Sequence, residues 1–219
     1  HFADFAADVI ERGFITDDSS FIVELGSNDG IFLTHFAQKG IPHLGVEPSG
    51  AVADVAESQG ITVTREFFNT GLAKRIRDEH GQADVISAAN VMCHIPDINE
   101  LARGIAHLLK EDGVLIFEDP YLGDIIRLTS YDQIYDEHVF LFSALSVQSI
   151  FSTVGMELID LQPQTTHGGS MRYTLAKTGR RAISPTVQVI LDQESAQGLD
   201  KTDTFVQFAL RVKESGEVL

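Results

Sequence analysis

The stretch Glu24-Leu25-Gly26-Ser27-Asn28-Asp29-Gly30 constrains what this chain can fold into more than any other. Before it, Phe21-Ile22-Val23 reads as a short buried strand. After it, Ile31-Phe32-Leu33 and Phe36-Ala37 read as the apolar face of a helix. A strand that feeds a glycine-rich turn and then a helix is a nucleotide-binding corner. Glycine lets the backbone approach a ligand, and the start of a helix offers unpaired N–H groups. The pattern here is acidic-x-Gly-x-x-x-Gly. It lacks the Gly-x-Gly-x-x-Gly of a pyrophosphate site and the Gly-Lys-Ser/Thr of a P-loop, which points away from NAD and ATP. A second acidic residue, Glu47, closes the next apolar run.

Around this corner the chain alternates regularly. Phe2, Phe5, Ala6, Val9 and Ile10 have helical spacing, ended by Gly13. Strands are expected at 21–25, 43–47, 61–64, 83–89 and 113–118, the last after a turn at Glu111-Asp112-Gly113. Helices are expected between them at 31–39, 48–59, 71–80 and 101–109. Such a rhythm predicts an α/β fold, a doubly wound, mostly parallel sheet with helices on both faces. Ligands of these sheets sit at the carboxyl ends of the strands. Glu24, Glu47, Asn90 and Asp119 all fall there, so these polar side chains are expected to converge on one edge. After Asp119 the rhythm breaks. Residues 120–143 are rich in Tyr, Asp, His and Phe without a period, and long irregular segments are usually functional or disordered. The apolar content argues against disorder. A helix at 146–154 follows, then strands at 157–161 and 171–177, with Thr166-His167-Gly168-Gly169-Ser170 between them. From Pro185 the chain is helical, with stripes at Val187, Ile190 and Leu191 and at Phe205, Phe208, Ala209 and Val212 that each need a surface to cover.

Charge and composition remove several function classes. The 219 residues carry 32 acidic against 16 basic side chains, a net charge of −16. That surface repels phosphate backbones, so nucleic acid is excluded as a partner, while a small anionic substrate remains compatible through local arginines. No run approaches the roughly 18 apolar residues of a membrane span, and no signal peptide is visible. The single cysteine, Cys93, permits no disulfide framework and no thiolate zinc cluster, so the cytoplasm is the expected compartment. Cys93 itself reads as a packed strand-end residue. No metal is expected: the spacing of Asp119, Asp124, Asp132 and Asp136 fits no calcium loop. His35 and His107 lie within helices as ordinary side chains, and His1, His43 and His80 carry no signal.

The acidic-x-Gly-x-x-x-Gly corner resembles the first motif of class I S-adenosylmethionine (SAM) methyltransferases. Ile134-Tyr135-Asp136-Glu137-His138-Val139-Phe140 and His167-Gly168-Gly169-Ser170-Met171-Arg172 are similar to segments of the bacterial sugar C-methyltransferases, which act on nucleotide-linked 4-keto-deoxysugars. The resemblance runs from about Phe2 to Lys177. It implies SAM as cofactor, with Glu24, Gly26, Ser27, Asn28, Gly30, Glu47 and Pro48 around it. Glu47 would hold the ribose hydroxyls and Asn90 the amino group. Phe67 or Phe68 would wall the adenine, unless both are core aromatics. It implies His138 as the base that makes an enolate, with Tyr135 and Glu137 as supporting catalytic groups. Glu137 would orient the imidazole or contact the substrate. His94 is either a substrate contact or a helix-entry residue before Pro96. His167 and Arg172 either close a loop over the substrate or flank a tight turn. The expected division is a SAM-binding methyltransferase domain at 1–180 and a helical segment at 181–219 leading to an incomplete C-terminal domain. The family usually carries a cysteine-rich zinc module before this domain and a Rossmann-type domain after it. Neither is complete here, and missing flanking domains of the same polypeptide are expected. Methylation of oxygen or nitrogen on another small molecule, and a silent SAM-binding scaffold, are the alternatives.

Overall fold

The computed structural model describes residues 1–218; Leu219 and the side chains of His167 and Val218 lie outside the described residues. A seven-stranded sheet organises the chain, in the order β3-β2-β1-β4-β5-β7-β6. Its strands are β1 (Ile22–Leu25), β2 (His43–Val46), β3 (Val63–Thr64), β4 (Ala83–Ala89), β5 (Leu109–Pro120), β6 (Met156–Gln164) and β7 (Ser170–Lys177). The first five are mutually parallel, and β7 is antiparallel to both of its neighbours, β5 and β6. The order reverses at β1, so the crevice between the loops after β1 and β4 is open for a ligand.

The helices are α1 (Phe2–Glu11), α2 (Thr34–Ala37), α3 (Gly50–Ser58), α4 (Thr70–His80), α5 (Ile98–Leu108), α6 (Leu122–Leu128), α7 (Ala144–Ser152), α8 (Pro185–Gln197) and α9 (Thr202–Val218). Alternating strand residues feed two cores, as a two-faced sheet requires. Phe5 and Val9 of α1, Ala56 of α3 and the aromatic run Phe32–Phe36 cover Ile22, Val85, Val114 and Ile116. On the other face α4, α5, α7 and α8 cover Val23, Leu25, Ile86, Leu115 and Phe117. Full burial of each such side chain stabilises the fold by about 1.5–3 kcal/mol. A smaller cluster joins Ile125 and Ile126 of α6 to Leu199 and to Phe208 of α9. Among the described residues no helix is long and apolar enough to cross a membrane.

Two elements differ from expectation. The helix expected at 31–39 is a series of turns around the four-residue α2; Thr34 Oγ1 donates to the Gly30 carbonyl, and Phe32, Leu33 and Phe36 are all buried. The turn expected at 111–113 is a bulge inside β5: Leu109 pairs with Ala83, and Val114 with Val85. The extra residues are absorbed as a local irregularity of the ladder. The stripe on α8 at Val187 and Ile190 is covered by β6 and α7.

Candidate active site

The cofactor side of the site is built at the ends of the parallel strands. A cleft of about 1040 Å³ opens there, lined by Glu24 within β1, Gly26, Ser27 and Asn28 after it, Glu47 and Pro48 after β2, Phe67 after β3, and Asn90 and His94 after β4. Gly26 sits at φ +65°, and a Cβ there would overlap the Val91 side chain, so only glycine allows this turn. Glu47 accepts from Asn28 N–H at 3.1 Å through Oε2 and from Ser49 N–H at 2.8 Å through Oε1, and so ties the first loop to the second. Glu24 is fully buried. Burial, followed by the charges of Asp29 and Glu47, pushes its pKa well above the carboxylate range. Its Oε2 and the Ser27 Oγ have no hydrogen-bond partner among the described residues. Buried polar atoms are normally paired, and both of these belong to residues that line the cleft, where a ligand can reach them.

Several residues stand elsewhere than the sequence suggested. Gly30 does not line the cleft. It lets the turn pack on Ala56 and Ile61, which a Cβ would crowd. Phe67 and Phe68 both line the cleft, Phe67 78 % exposed at its mouth and Phe68 packed against the core beside Gly104. Asp119 was expected on the ligand edge. It is sealed in the core, 0 % exposed, with the thiol and backbone of Cys93 as its polar neighbours. Burial pushes its pKa up to about 7, the Cys93 thiol and backbone pull against that, and the charge of Glu118 adds to it. Cys93 is buried and its thiol is likewise pushed up by burial. Arg172 is not part of the cleft lining. Alternation along β7 turns it to the opposite face of the sheet, 5 % exposed, where it donates to Glu118 at 2.6 Å and stacks 4.0 Å from the Phe5 ring centroid. It also meets Asp8 of α1 at 3.4 Å, so it acts as a buried tie between α1, β5 and β7. Phe2 of α1 does line the cleft. The helical stripe gave no hint of this, because it depends on where α1 docks.

The segment that carries Tyr135, Glu137 and His138 occupies residues 121–143, between β5 and α7. His138 Nδ1 lies 2.8 Å from the Gln133 carbonyl, which only accepts, so this nitrogen carries the hydrogen. In the neutral ring Nε2 therefore holds the lone pair, and the Tyr135 hydroxyl donates to it at 2.9 Å. His94 is fixed in the same way. Its Nδ1 lies 2.7 Å from the Glu137 carbonyl, which leaves its Nε2 basic. The two imidazoles stand 5.0 Å apart. His94 lines the cleft; Tyr135, Glu137 and His138 are not part of that lining, and His138 stands behind His94. Glu137 does not orient the imidazole of His138: its carboxylate is exposed, its carbonyl contacts His94, and Gln133 does the orienting. Neighbours in sequence point apart, which is why the contact runs through the backbone. Among the described residues Cys93, His94 and His138 also place one ligand atom each within 4.8 Å of the others.

The His167 side chain lies outside the described residues. Its backbone forms a single turn, Thr166–Gly168. Gly169 adopts φ +133°, and a Cβ there would overlap Asp124 of α6. Its carbonyl accepts from Tyr121 N–H at 3.1 Å, so the two motifs of the second half of the chain abut.

Comparison with known proteins agrees with this geometry. Residues 1–161 match a family model described as a methyltransferase domain, and residues 165–219 one described as a C-methyltransferase C-terminal domain. The C-methyltransferase NovU of Streptomyces niveus is 32 % identical over 201 residues, which is 91 % of this chain and 48 % of NovU. A ubiquinone biosynthesis O-methyltransferase of Azorhizobium caulinodans is 26 % identical over 120 residues, covering 51 % of this chain and 47 % of that protein. The chain thus spans about half the length of these relatives. Among solved structures, a SAM-dependent methyltransferase from Clostridium acetobutylicum superposes with a TM-score of 0.62 at 13 % identity, covering 82 % of this chain and 93 % of that one. Magnesium protoporphyrin IX methyltransferase (ChlM) of Synechocystis, with bound SAH, gives 0.58 at 15 % identity, covering 81 % and 82 %. With the cleft at the β1/β4 crevice, the acidic residues at the ends of β1 and β2 and a family model that matches most of its length, the chain belongs to the SAM-dependent methyltransferases.

Proposed function

We propose that this chain transfers a methyl group to a carbon beside a ketone, in a nucleotide-linked deoxysugar. The observation that carries the reading is the locked pair of imidazoles, one lining the cleft and the other 5.0 Å behind it. O-methylation also calls for a base, to take a hydroxyl proton; C-methylation needs a base that removes a C–H proton and, in addition, a donor that holds the enolate. His138 Nε2, basic and partnered by the Tyr135 hydroxyl, supplies both groups at one point. The substrate takes the place of Tyr135 at Nε2. His138 accepts the proton, and the freed phenol donates to the enolate oxygen. His94 borders the same space and contacts the substrate. SAM supplies the electrophilic methyl when bound. Glu47 holds its ribose hydroxyls, Glu24, Ser27 and Asn90 face its amino-acid end, and Phe67 walls the adenine. The sugar part of the reading rests on the Tyr-Asp-Glu-His and His-Gly-Gly-Ser segments, and NovU, a C-methyltransferase by name, is consistent with the reaction. The net charge of −16 argues against nucleic acid as a partner, and a lone buried thiol fits the reducing cytoplasm.

The test is proton exchange. Thymidine diphosphate 4-keto-6-deoxyglucose in D₂O is incubated with the enzyme and followed by NMR. Washout beside the ketone is expected, and His138→Asn should slow it by about 10²–10⁴ while SAM affinity holds. Methylated product without washout favours the oxygen reading, for which the 26 % identical O-methyltransferase is the precedent. Washout at the parent rate in His138→Asn moves the base to His94.

A further inference from the structure

Glu194 lies on α8, far along the chain from any residue of the cleft, and is 0 % exposed. Its carboxylate accepts from the Tyr121 hydroxyl at 2.9 Å and Ala144 N–H at 2.6 Å through Oε1, and from Leu145 N–H at 2.9 Å through Oε2. Those partners are not scattered. Tyr121 is where the chain leaves the sheet to begin segment 121–143, and Ala144 and Leu145 are where it re-enters a helix. One carboxylate therefore holds both ends of the segment that carries Tyr135, Glu137 and His138.

The neck it closes is otherwise thin. Leu122 N–H and the Tyr173 hydroxyl both donate to the Phe142 carbonyl, at 2.9 and 3.2 Å, and Tyr121 and Phe142 form a single bridge. Glu194 also completes the first turn of α7. Its oxygens take the first two N–H groups, and Ser143 Oγ takes the third, at 3.1 Å. The same C-terminal helices reach the segment once more: Arg211 of α9 donates to the Ile126 carbonyl at 2.7 Å. Burying a charge is costly, and a leucine would fill the same space more cheaply if stability alone were needed. The carboxylate instead fixes geometry, and it polarises Tyr121: burial first, then the Glu194 charge, raises that phenol.

We infer that Glu194 is a positioning residue: it clamps the neck of segment 121–143 and thereby sets where His94 and His138 meet beside the cofactor cleft. The link to His94 is direct, since Phe140 N–H donates to the Cys93 carbonyl at 3.1 Å and the Glu137 carbonyl holds His94. The inference rests on the proposed reading of the segment as acceptor-side machinery, but its main readout does not.

Glu194→Gln keeps the volume and one acceptor oxygen and places an amide N–H₂ against a donor; Tyr121→Phe removes one of the clamp's partners. Amide hydrogen exchange followed by mass spectrometry is compared for both variants and the parent, alongside SAM calorimetry and steady-state kinetics with thymidine diphosphate 4-keto-6-deoxyglucose. Exchange across 122–142 should rise about tenfold or more while residues 22–47 keep their protection. SAM affinity should stay within about twofold of the parent. kcat should fall about 10–100-fold with KM little changed, as expected when a catalytic group shifts by about 1 Å. Tyr121→Phe should fall between parent and Glu194→Gln, and it decides the matter if Glu194→Gln does not fold. Unchanged exchange across 122–142 overturns the inference. So does exchange that rises through the whole sheet together with weakened SAM binding, which marks general loosening. If the parent turns over no keto sugar, the proposed substrate is wrong, while exchange and calorimetry still decide the clamp.

Discussion

Asp119→Asn offers a quantitative check on the interior of this fold. The carboxyl is sealed beside Cys93, and its pKa is pushed from 3.8 up to about 7, chiefly by burial. The sign follows from linkage. Below about pH 4 the group is protonated in both folded and unfolded chains, and burial costs little. As pH rises from about 4 to 7 the unfolded chain ionises first, and folding must take up a proton. Stability is therefore present at low pH and lost as pH climbs through the folded value. Above about pH 7 both states are ionised and the penalty is constant. Each tenfold change in acidity is worth about 1.4 kcal/mol, so the full span is about 4 kcal/mol, and partial water entry makes about 2–4 kcal/mol the expected reading. Urea denaturation of the parent and Asp119→Asn at intervals from pH 4 to 8.5 isolates this group, because Glu24 and the surface acids are common to both proteins and cancel. The difference, parent minus variant, should already be falling at pH 4, fall steadily towards pH 7 and flatten above it. A difference that does not change with pH would refute the burial reasoning.

Glu47→Ala should weaken SAM binding by about 1.5–3 kcal/mol in calorimetry, the scale of a charge-assisted hydrogen bond; unchanged affinity would remove Glu47 from the cofactor site. Arg172→Met should leave Glu118 buried without its guanidinium partner and cost about 3–5 kcal/mol in chemical denaturation, with SAM affinity of the folded protein unchanged. Gly169→Ala should strain the φ +133° turn and push on Asp124, lowering turnover of the keto sugar at constant SAM affinity; equal turnover would detach this loop from the acceptor side.

The parallel half of the molecule was legible because its signals are local. A strand, a glycine turn and an acidic strand end are each set by a few consecutive residues, and β1, β2 and β4 fall where the periodicity places them. The helix expected after Gly30 was less so. Its apolar residues are buried as predicted, but turns rather than α2 present most of them. The roles of Arg172, Asp119 and Glu194 were not legible. Whether an arginine on β7 faces the cleft or α1 depends on strand register, and register is fixed by pairing with β5 more than 50 residues earlier. Glu194 sits in a helix of mixed polarity. Its meaning lies in Tyr121 and Ala144, 73 and 50 residues away in the chain. The tautomers of His94 and His138 likewise depend on which carbonyls fold against them, and no motif encodes that.

The neck at Tyr121 and Phe142 has a consequence for how such a protein can vary. A loop whose ends are already held together is insulated: lengthening it adds only a slowly growing entropy, about 0.6 kcal/mol for each doubling. Residues inserted or deleted near the exposed tip around Ile134 would leave the strand ends that build the cleft in place, but would part Gln133 from His138 and shift the Glu137 carbonyl that holds His94. Segment 121–143 is therefore a part of this molecule that can change length at little thermodynamic risk to the sheet, while any change near 133–137 falls directly on the two imidazoles.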